Sequence, residues 1–375
     1  MWKMLSSKSF KKILGGIDME VTKIVLTGGP CAGKSTAIIS IKNHFEKLGF
    51  NVITINESAT ELINSGIKPF GENKIDSFEF QKIIFDYQLM KETILGNSVF
   101  DNKKDTIVIH DRGIMDNKAY LSEQLFNLLL RQKNASEISL LERYDEVTHL
   151  VTAADGAEQF YTLSNNSART ETIEEARRLD LKTQLAWLGH DYLNIVTNAV
   201  DFDYKISQTL TIIENMIKKE KLKQQKKFLL DYKYMDSLLA TYPHKTFYIE
   251  QQYLPTKDNI YRFRKKTLNN CSFYTVTLEQ LIGTSKKIIL ENHKIDEKKY
   301  YNAALDNSNN MYGIKKERNF VLHDNQYFKI DRFKNDLCLM EIDWSSLNEL
   351  PRDIPIIDEV TDRDDYYNFM LSKKI

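Results

Sequence analysis

Residues 24–36 read IVLTGGPCAGKST, and this run constrains the chain more than any other. Gly28-x4-Gly33-Lys34-Ser35 satisfies the GxxxxGK[ST] phosphate-loop pattern, with an apolar strand before it and the helical AIISIKNHFEKLG after it. Glycines let backbone N–H groups curl around phosphate oxygens, Lys34 sets a cation on the outer phosphates, and the Ser35 hydroxyl supplies an oxygen ligand for Mg²⁺. Residues Gly28, Gly29, Pro30, Cys31, Ala32, Gly33, Lys34, Ser35 and Thr36 therefore form the expected nucleotide cradle, with the dipole of the following helix beneath it.

A cradle of this type needs a parallel sheet around it. From Val21 to about Asp203 short β-branched runs alternate with amphipathic segments: Lys23–Thr27, Asn51–Ile55, Thr106–His110, Thr148–Thr152 and Asn194–Thr197. Such alternation predicts an α/β P-loop NTPase domain, a parallel sheet with helices on both faces. After about Ser237 strand-like runs follow one another: Thr246–Leu254, Ile260–Lys266, Ser272–Glu279, Lys287–His293, Arg318–Leu322, Gln326–Phe333 and Leu337–Trp344, with one helix near Asp296–Ala304. That spacing predicts an α+β unit built on an antiparallel sheet or barrel.

The expected divisions are a flexible basic tail at 1–19, the P-loop domain at 20–203, a connecting basic helix at 204–236 and the antiparallel domain at 237–375. Lysines 218, 219, 221, 223, 226 and 227 crowd the end of the connecting helix. They suit either a solvated surface or a contact with anionic lipid headgroups.

Composition excludes several alternatives. With 42% apolar and 28% charged residues the chain is not wholly disordered, and with 52 basic against 52 acidic residues nucleic acid is not an expected partner. No apolar run reaches the length of a transmembrane helix. Three scattered cysteines read as a reducing compartment without a disulfide framework.

Magnesium at a phosphate loop calls for an acid at a neighbouring strand end, and TIVIHDRG places Asp111 there. Asp111 and Ser35 are the expected metal residues, and Arg112 stands in reach of a phosphate. Glu57, after the second strand, either takes a proton from an attacking hydroxyl or orients a helix start, since Asn56-Glu57-Ser58 is also capping chemistry. Lys34, Glu57, Asp111 and Arg112 form the candidate catalytic set. In the charged helix that follows, Arg169, Arg177 and Arg178 are candidates to cover the phosphates. Asn198-x-x-Asp201 is a weak base-reading signal, because Ala199 stands where a guanine-binding motif carries lysine.

TGGPCAGKST, Glu57, HDRG, HLVTAADGAEQFY (149–161) and ARTETIEEARRLD with WLGH together resemble the P-loop ATPase domain of the nicotinamide riboside kinase-like and TRPL translocation defect protein 14-like family. IEQQYL, YRFRKK, YTVTLE, KKERNF, YFKIDRF, LMEIDW and IDEVTDRDDYYNFML are similar to strands of a CYTH-like triphosphate-tunnel domain. The resemblance implies a cytoplasmic protein, peripheral at membranes, that binds GTP or ATP. It also implies an anionic partner, phosphatidic acid or a polyphosphate, and a part in membrane trafficking. A small-molecule kinase is the alternative activity.

In such a tunnel Arg262, Arg264, Lys287, Lys316, Arg318 and Arg332 would bind anion oxygens, and Glu250, Glu279, Glu341 and Asp343 would hold a divalent cation. Period-2 spacing puts 262 with 264, 316 with 318, and 341 with 343 on common faces. The tunnel enzymes' ExExK strand is broken here to Glu250-Gln251-Gln252-Tyr253-Leu254, which favours an anion-binding or regulatory domain over a second active site.

Overall fold

Five strands pair in parallel in the order β2-β3-β1-β4-β5: β1 (Val21–Gly28), β2 (Asn51–Ile55), β3 (Thr106–Asp111), β4 (Glu146–Leu150) and β5 (Leu193–Val196). The computed structural model describes residues 21–98, 104–161, 172–217, 225–282, 286–306, 310–343 and 350–374. The basic tail at 1–19, Arg169 and lysines 218, 219, 221 and 223 lie outside the described residues.

β4 is buried along its whole length and β3 at all but its last residue, as expected of parallel strands covered on both faces. On one face α1 (Lys34–Lys47) sets Ala37, Ile41 and Phe45, four residues apart, against Ile24 and Leu26; Ile213 of α7 (Phe202–Ile217) joins them. On the other face lie α3 (Ser77–Ser98), α4 (Glu123–Gln132), α5 (Glu137–Leu141) and α6 (Ile173–Ala186). The short α2 is Ser58–Asn64. The chain leaves β1 to reach β2 beyond β3, and leaves β3 to reach β4 beyond β1. The two connections run in opposite directions, which opens a crevice at the carboxyl ends of β1 and β3.

The second unit is a nine-stranded antiparallel sheet in the order β10-β9-β8-β7-β11-β12-β13-β6-β14. Its strands are β6 (Gln225–Leu230), β7 (His244–Pro255), β8 (Ile260–Leu268), β9 (Cys271–Ile282), β10 (Lys286–Ile295), β11 (Tyr312–His323), β12 (Gln326–Phe333), β13 (Cys338–Asp343) and β14 (Ile356–Glu359). Helices α8 (Met235–Thr241), α9 (Glu297–Asp306) and α10 (Asn368–Leu371) complete it. This is the antiparallel α+β unit expected from the rhythm of the sequence.

One expected element is corrected. The connecting helix stops at Ile217, and Gln225–Leu230 is a strand between β13 and β14. Its lysines give the run a helical look. Tertiary pairing decides otherwise: Lys227 meets Glu341, Lys226 meets Glu359, and Phe228 and Leu230 are buried.

The two units share a core. Trp187, Leu188 and Val25 belong to one apolar cluster with Phe247, Ile249, Phe320, Leu322 and Tyr327 of the sheet. The register then fixes which charges share the enclosed face. Ile249 lies opposite both Lys266 and Lys316, Gln251 opposite Arg264, Arg318 opposite Asp331, and Glu341 opposite both Lys329 and Lys227. Among the described residues no helix is long and apolar enough to cross a membrane.

Candidate functional site

The phosphate loop links β1 to α1 at the crevice. A Cβ at Gly28 would lie 2.2 Å from the Leu150 carbonyl oxygen, and one at Gly33, where φ is +87°, would lie 2.4 Å from Phe202. Both positions therefore require glycine. The Thr152 hydroxyl donates to the Pro30 carbonyl, and the Gly29 N–H donates to Asp180 Oδ1 at 2.8 Å. Gly33 caps α1 without a side-chain bond, so the first N–H groups of α1 have no capping side chain and Ser35 and Thr36 stand exposed beside them.

Lys34 folds back over the loop, its Nζ 3.4 Å from the Gly28 carbonyl and 3.5 Å from that of Gly29. It is 9% exposed. Burial lowers its pKa, Arg112 adds to the effect, and Asp111, Glu57 and Asp116 oppose it. A cation so placed gains from an incoming anion.

Glu57 follows β2 and occupies the N-cap position of α2, but its carboxylate makes no cap bond. Its Oε1 accepts from Arg112 Nε at 2.5 Å and its Oε2 from Thr60 at 2.8 Å. Burial alone would raise the carboxyl, yet Arg112 and Lys34 hold it at about 2. Asp111 ends β3. Burial raises its pKa despite Lys34, and its Oδ1 is buried with no hydrogen-bond partner. That orphaned oxygen fits a hard divalent cation, and the exposed Ser35 hydroxyl is a second oxygen ligand of the same hard kind. Among the described residues no three His, Cys, Asp or Glu side chains group to hold a metal alone, so Mg²⁺ here would also need phosphate oxygens and water.

Two acids of this region escaped the sequence reading. Asp116 accepts from the Thr27 hydroxyl and from Gly113 N–H at 2.7 Å, and lies 3.5 Å from Arg112. It braces the turn in which Arg112 takes a φ of +67°. Its signal was the spacing Asp111-Arg112-Gly113-x-x-Asp116. Asp180, 3% exposed, accepts from Gly29 N–H, Thr152 N–H, His149 and Gln184. It sat unnoticed in a helix read for its arginines.

Of those arginines Arg177 is placed otherwise than expected. Arg177 donates to the Ala154 carbonyl at 2.7 Å and pairs with Glu158, so it buttresses the loop after β4, and Arg178 is exposed. Asn198 does not offer a free amide to a base. Its Nδ2 donates to the carbonyls of Thr152 and Asp155 at 2.8 and 2.7 Å, and its Oδ1 accepts from Lys205. Burial pushes Lys205 down to about 8.

On the enclosed face of the second unit Arg262 pairs with Glu279 at 3.1 Å, and Lys316 and Arg318 share Asp331 at 2.5 and 2.6 Å. Arg318 also reaches Glu341 at 3.0 Å. Lys227, read in the sequence as part of the connecting helix, joins this face, as do Lys266 and Lys329, which the sequence reading passed over. Two expected members are corrected. Arg332 lies opposite Cys338 and Glu317 on the outer face and pairs with Asp236, because neighbouring residues of a strand point to opposite faces and Asp331 beside it faces inward. Glu250 is also outside, between Lys265 and Lys315. Lys287 has its backbone in β10, and its side chain lies outside the described residues. Glu279, Glu341 and Asp343 are held by Arg262, Lys227 with Arg318, and Lys329, so they form no cation site of their own. Burial, with Arg318 adding to it, pushes Lys316 down to about 7. Burial opposes ionisation of Asp331, but Arg318 and Lys316 hold its carboxyl below the usual range.

Residues 23–205 match the family model described as an AAA domain. The stretch is just under half of the chain and holds the phosphate loop and, but for Val21 and Thr22, the five parallel strands, so the first unit is similar to a P-loop domain of the AAA type. No curated protein matches the chain. Two crystal structures are similar in part, one described as the hypothetical protein NE1496 and one as the inorganic triphosphatase NE1496. Both are 22% identical; they cover 40% of this chain and 95% and 97% of theirs, with TM-scores of 0.29 and 0.30.

Proposed function

We propose that this chain is a regulatory nucleotide-binding protein: its P-loop domain binds GTP or ATP with Mg²⁺ and hydrolyses it slowly, and its second unit binds a small polyanion. One observation carries the reading, the pairing of a buried, anion-seeking Lys34 with the unpartnered Asp111 oxygen at the mouth of a phosphate loop. Mg²⁺, held by Ser35 and Asp111, would neutralise charge on the outer phosphates. The loop amides and the start of α1 would bind the phosphate oxygens, Lys34 would swing from the Gly28 carbonyl onto them, and Arg112 would offset developing negative charge.

Glu57 favours slow turnover. A carboxylate held at about 2 and bound by Arg112 is a weak acceptor for a hydroxyl proton. A kinase would need it released by substrate. Its position at the end of β2 is what keeps that second reading open. A small soluble polyphosphate suits the second unit better than phosphatidic acid, because the charged face is enclosed by the first unit and Lys226 and Lys227 are engaged by carboxylates. A role in membrane trafficking, with the protein cytoplasmic and peripheral at membranes, would need the lipid instead.

Calorimetric titration with GTP, ATP and dATP, each with magnesium, tests the nucleotide site. Turnover measured with and without nucleosides tests the regulatory reading. Acceptor-stimulated phosphorylation at about 1 per second or more, an ordinary kinase rate, would overturn it.

A further inference from the structure

Most cations of the enclosed face are answered by carboxylates of their own sheet: Arg262 by Glu279, Lys316 and Arg318 by Asp331, Lys227 by Glu341, and Lys329 by Asp343. Arg264 and Lys266 are answered by the other unit. The turn between α6 and β5 delivers Asp191, whose two oxygens take Arg264 at 2.6 and 3.2 Å, with Lys266 at 3.5 Å. Lys266 also binds Glu142 at 2.6 Å.

The turn is stitched in by its backbone as well. Gly189 N–H donates to the Tyr327 hydroxyl at 3.0 Å, that hydroxyl donates to the His190 carbonyl at 2.7 Å, and Lys266 donates to the Gly189 carbonyl at 2.9 Å. A Cβ at Gly189, where φ is +110°, would lie 2.6 Å from Phe247. A fork-on-carboxylate contact of this kind is also how an arginine grips a phosphate.

We propose that Asp191 is a built-in anion: it fills the Arg264–Lys266 position of the second unit, and a polyphosphate can reach those two cations only by displacing it. This rests on the reading of that face as an anion site. The same helix ties the displacement to the nucleotide. Asp180 of α6 holds the Gly29 N–H of the phosphate loop, Gln184 of α6 reaches Asn325 in the β11–β12 turn at 2.7 Å, and Asp191 follows at the far end. A ligand that moves α6 from either end biases the other site, and the coupling is reciprocal.

The test is tripolyphosphate titrated into the full chain by calorimetry, in a Lys34→Ala background so that the phosphate loop does not contribute. Asp191→Asn in that background is expected to bind tripolyphosphate at least ten-fold tighter, and Glu142→Gln, a milder change, to tighten it by a smaller factor. In the Lys34→Ala protein itself, tripolyphosphate is expected to speed amide hydrogen exchange at 187–192. Unchanged affinity in both variants, with binding still abolished by Arg318→Gln, would overturn the internal anion and leave the anion site standing. Absence of binding in every variant would remove the anion site and the proposal with it.

Discussion

The molecule carries two concentrations of buried charge, and they differ in what they leave unanswered. Around the phosphate loop, among the described residues, Lys34 meets only carbonyl oxygens within hydrogen-bond distance and Asp111 keeps a buried oxygen without a partner. On the enclosed face of the antiparallel sheet each cation discussed above has a carboxylate within 3.5 Å. Charge density alone does not define a site. The first region keeps a carboxylate oxygen unanswered and is poised for a ligand, whereas on the second Arg262 and Arg264 each keep an Nε without a partner but have their charge already answered by a carboxylate, so a ligand must enter by exchange.

The largest expected effect tests the open half of that contrast. Lys34→Ala should weaken magnesium-nucleotide binding by 100-fold or more, read by calorimetry, with little change in melting temperature, because Lys34 contributes little to the fold in its curled position. Retained affinity would remove Lys34 from the site. The closed half should respond in the opposite way. Asp331→Ala strands Lys316 and Arg318 without their shared carboxylate and should cost about 3–5 kcal/mol in denaturant unfolding, the usual penalty for breaking a buried ion network from one side. A loss below about 1 kcal/mol would mean that the network is hydrated and more open than its geometry implies.

Much of this was legible in the residues. The loop, the strand ends carrying Glu57 and Asp111, and the facing of Arg262 with Arg264 and of Lys316 with Arg318 follow from spacing, because strand period and motif geometry are local. The rest depends on register and on contacts between units. Glu250 and Arg332 belong to strands that were read correctly, yet they face outward, since one residue of register inverts a side chain. β6 was hidden because six residues rich in lysine become a strand only when Glu341 and Glu359 arrive from more than a hundred residues away. Asp180 and Asp191 carry no motif at all. Their importance comes from the partners that the fold brings to them.

A pH series sharpens the comparison at intermediate size. Glu57 sits at about 2 in the folded protein against an ordinary value of 4.5, so the folded state binds fewer protons than the unfolded one between those values. Its contribution, on the order of 3 kcal/mol at most, is fully present above about pH 4.5 and is lost as pH falls toward 2. Glu57→Gln should remove that share of the acid destabilisation. An identical pH–stability slope in the variant would show that the Arg112 pair is solvated and that Glu57 is free to act as a base, which would favour the kinase reading.

The smallest effect comes from the outer face, and it separates buried from exposed charge within one strand. Glu250 lies one residue from Gln251, which faces Arg264 on the enclosed side, but its own partners are Lys265 at 3.5 Å and the exposed Lys315 at 3.2 Å. Solvent screens both pairs, so Glu250→Gln should change stability by less than about 1 kcal/mol and leave tripolyphosphate binding at the wild-type value. Thermal unfolding and the same calorimetric titration check both halves. A marked loss of anion binding in this variant would return Glu250 to the enclosed face and require the register of β7 against β8 to shift by one residue, exchanging the enclosed and exposed rows of β7.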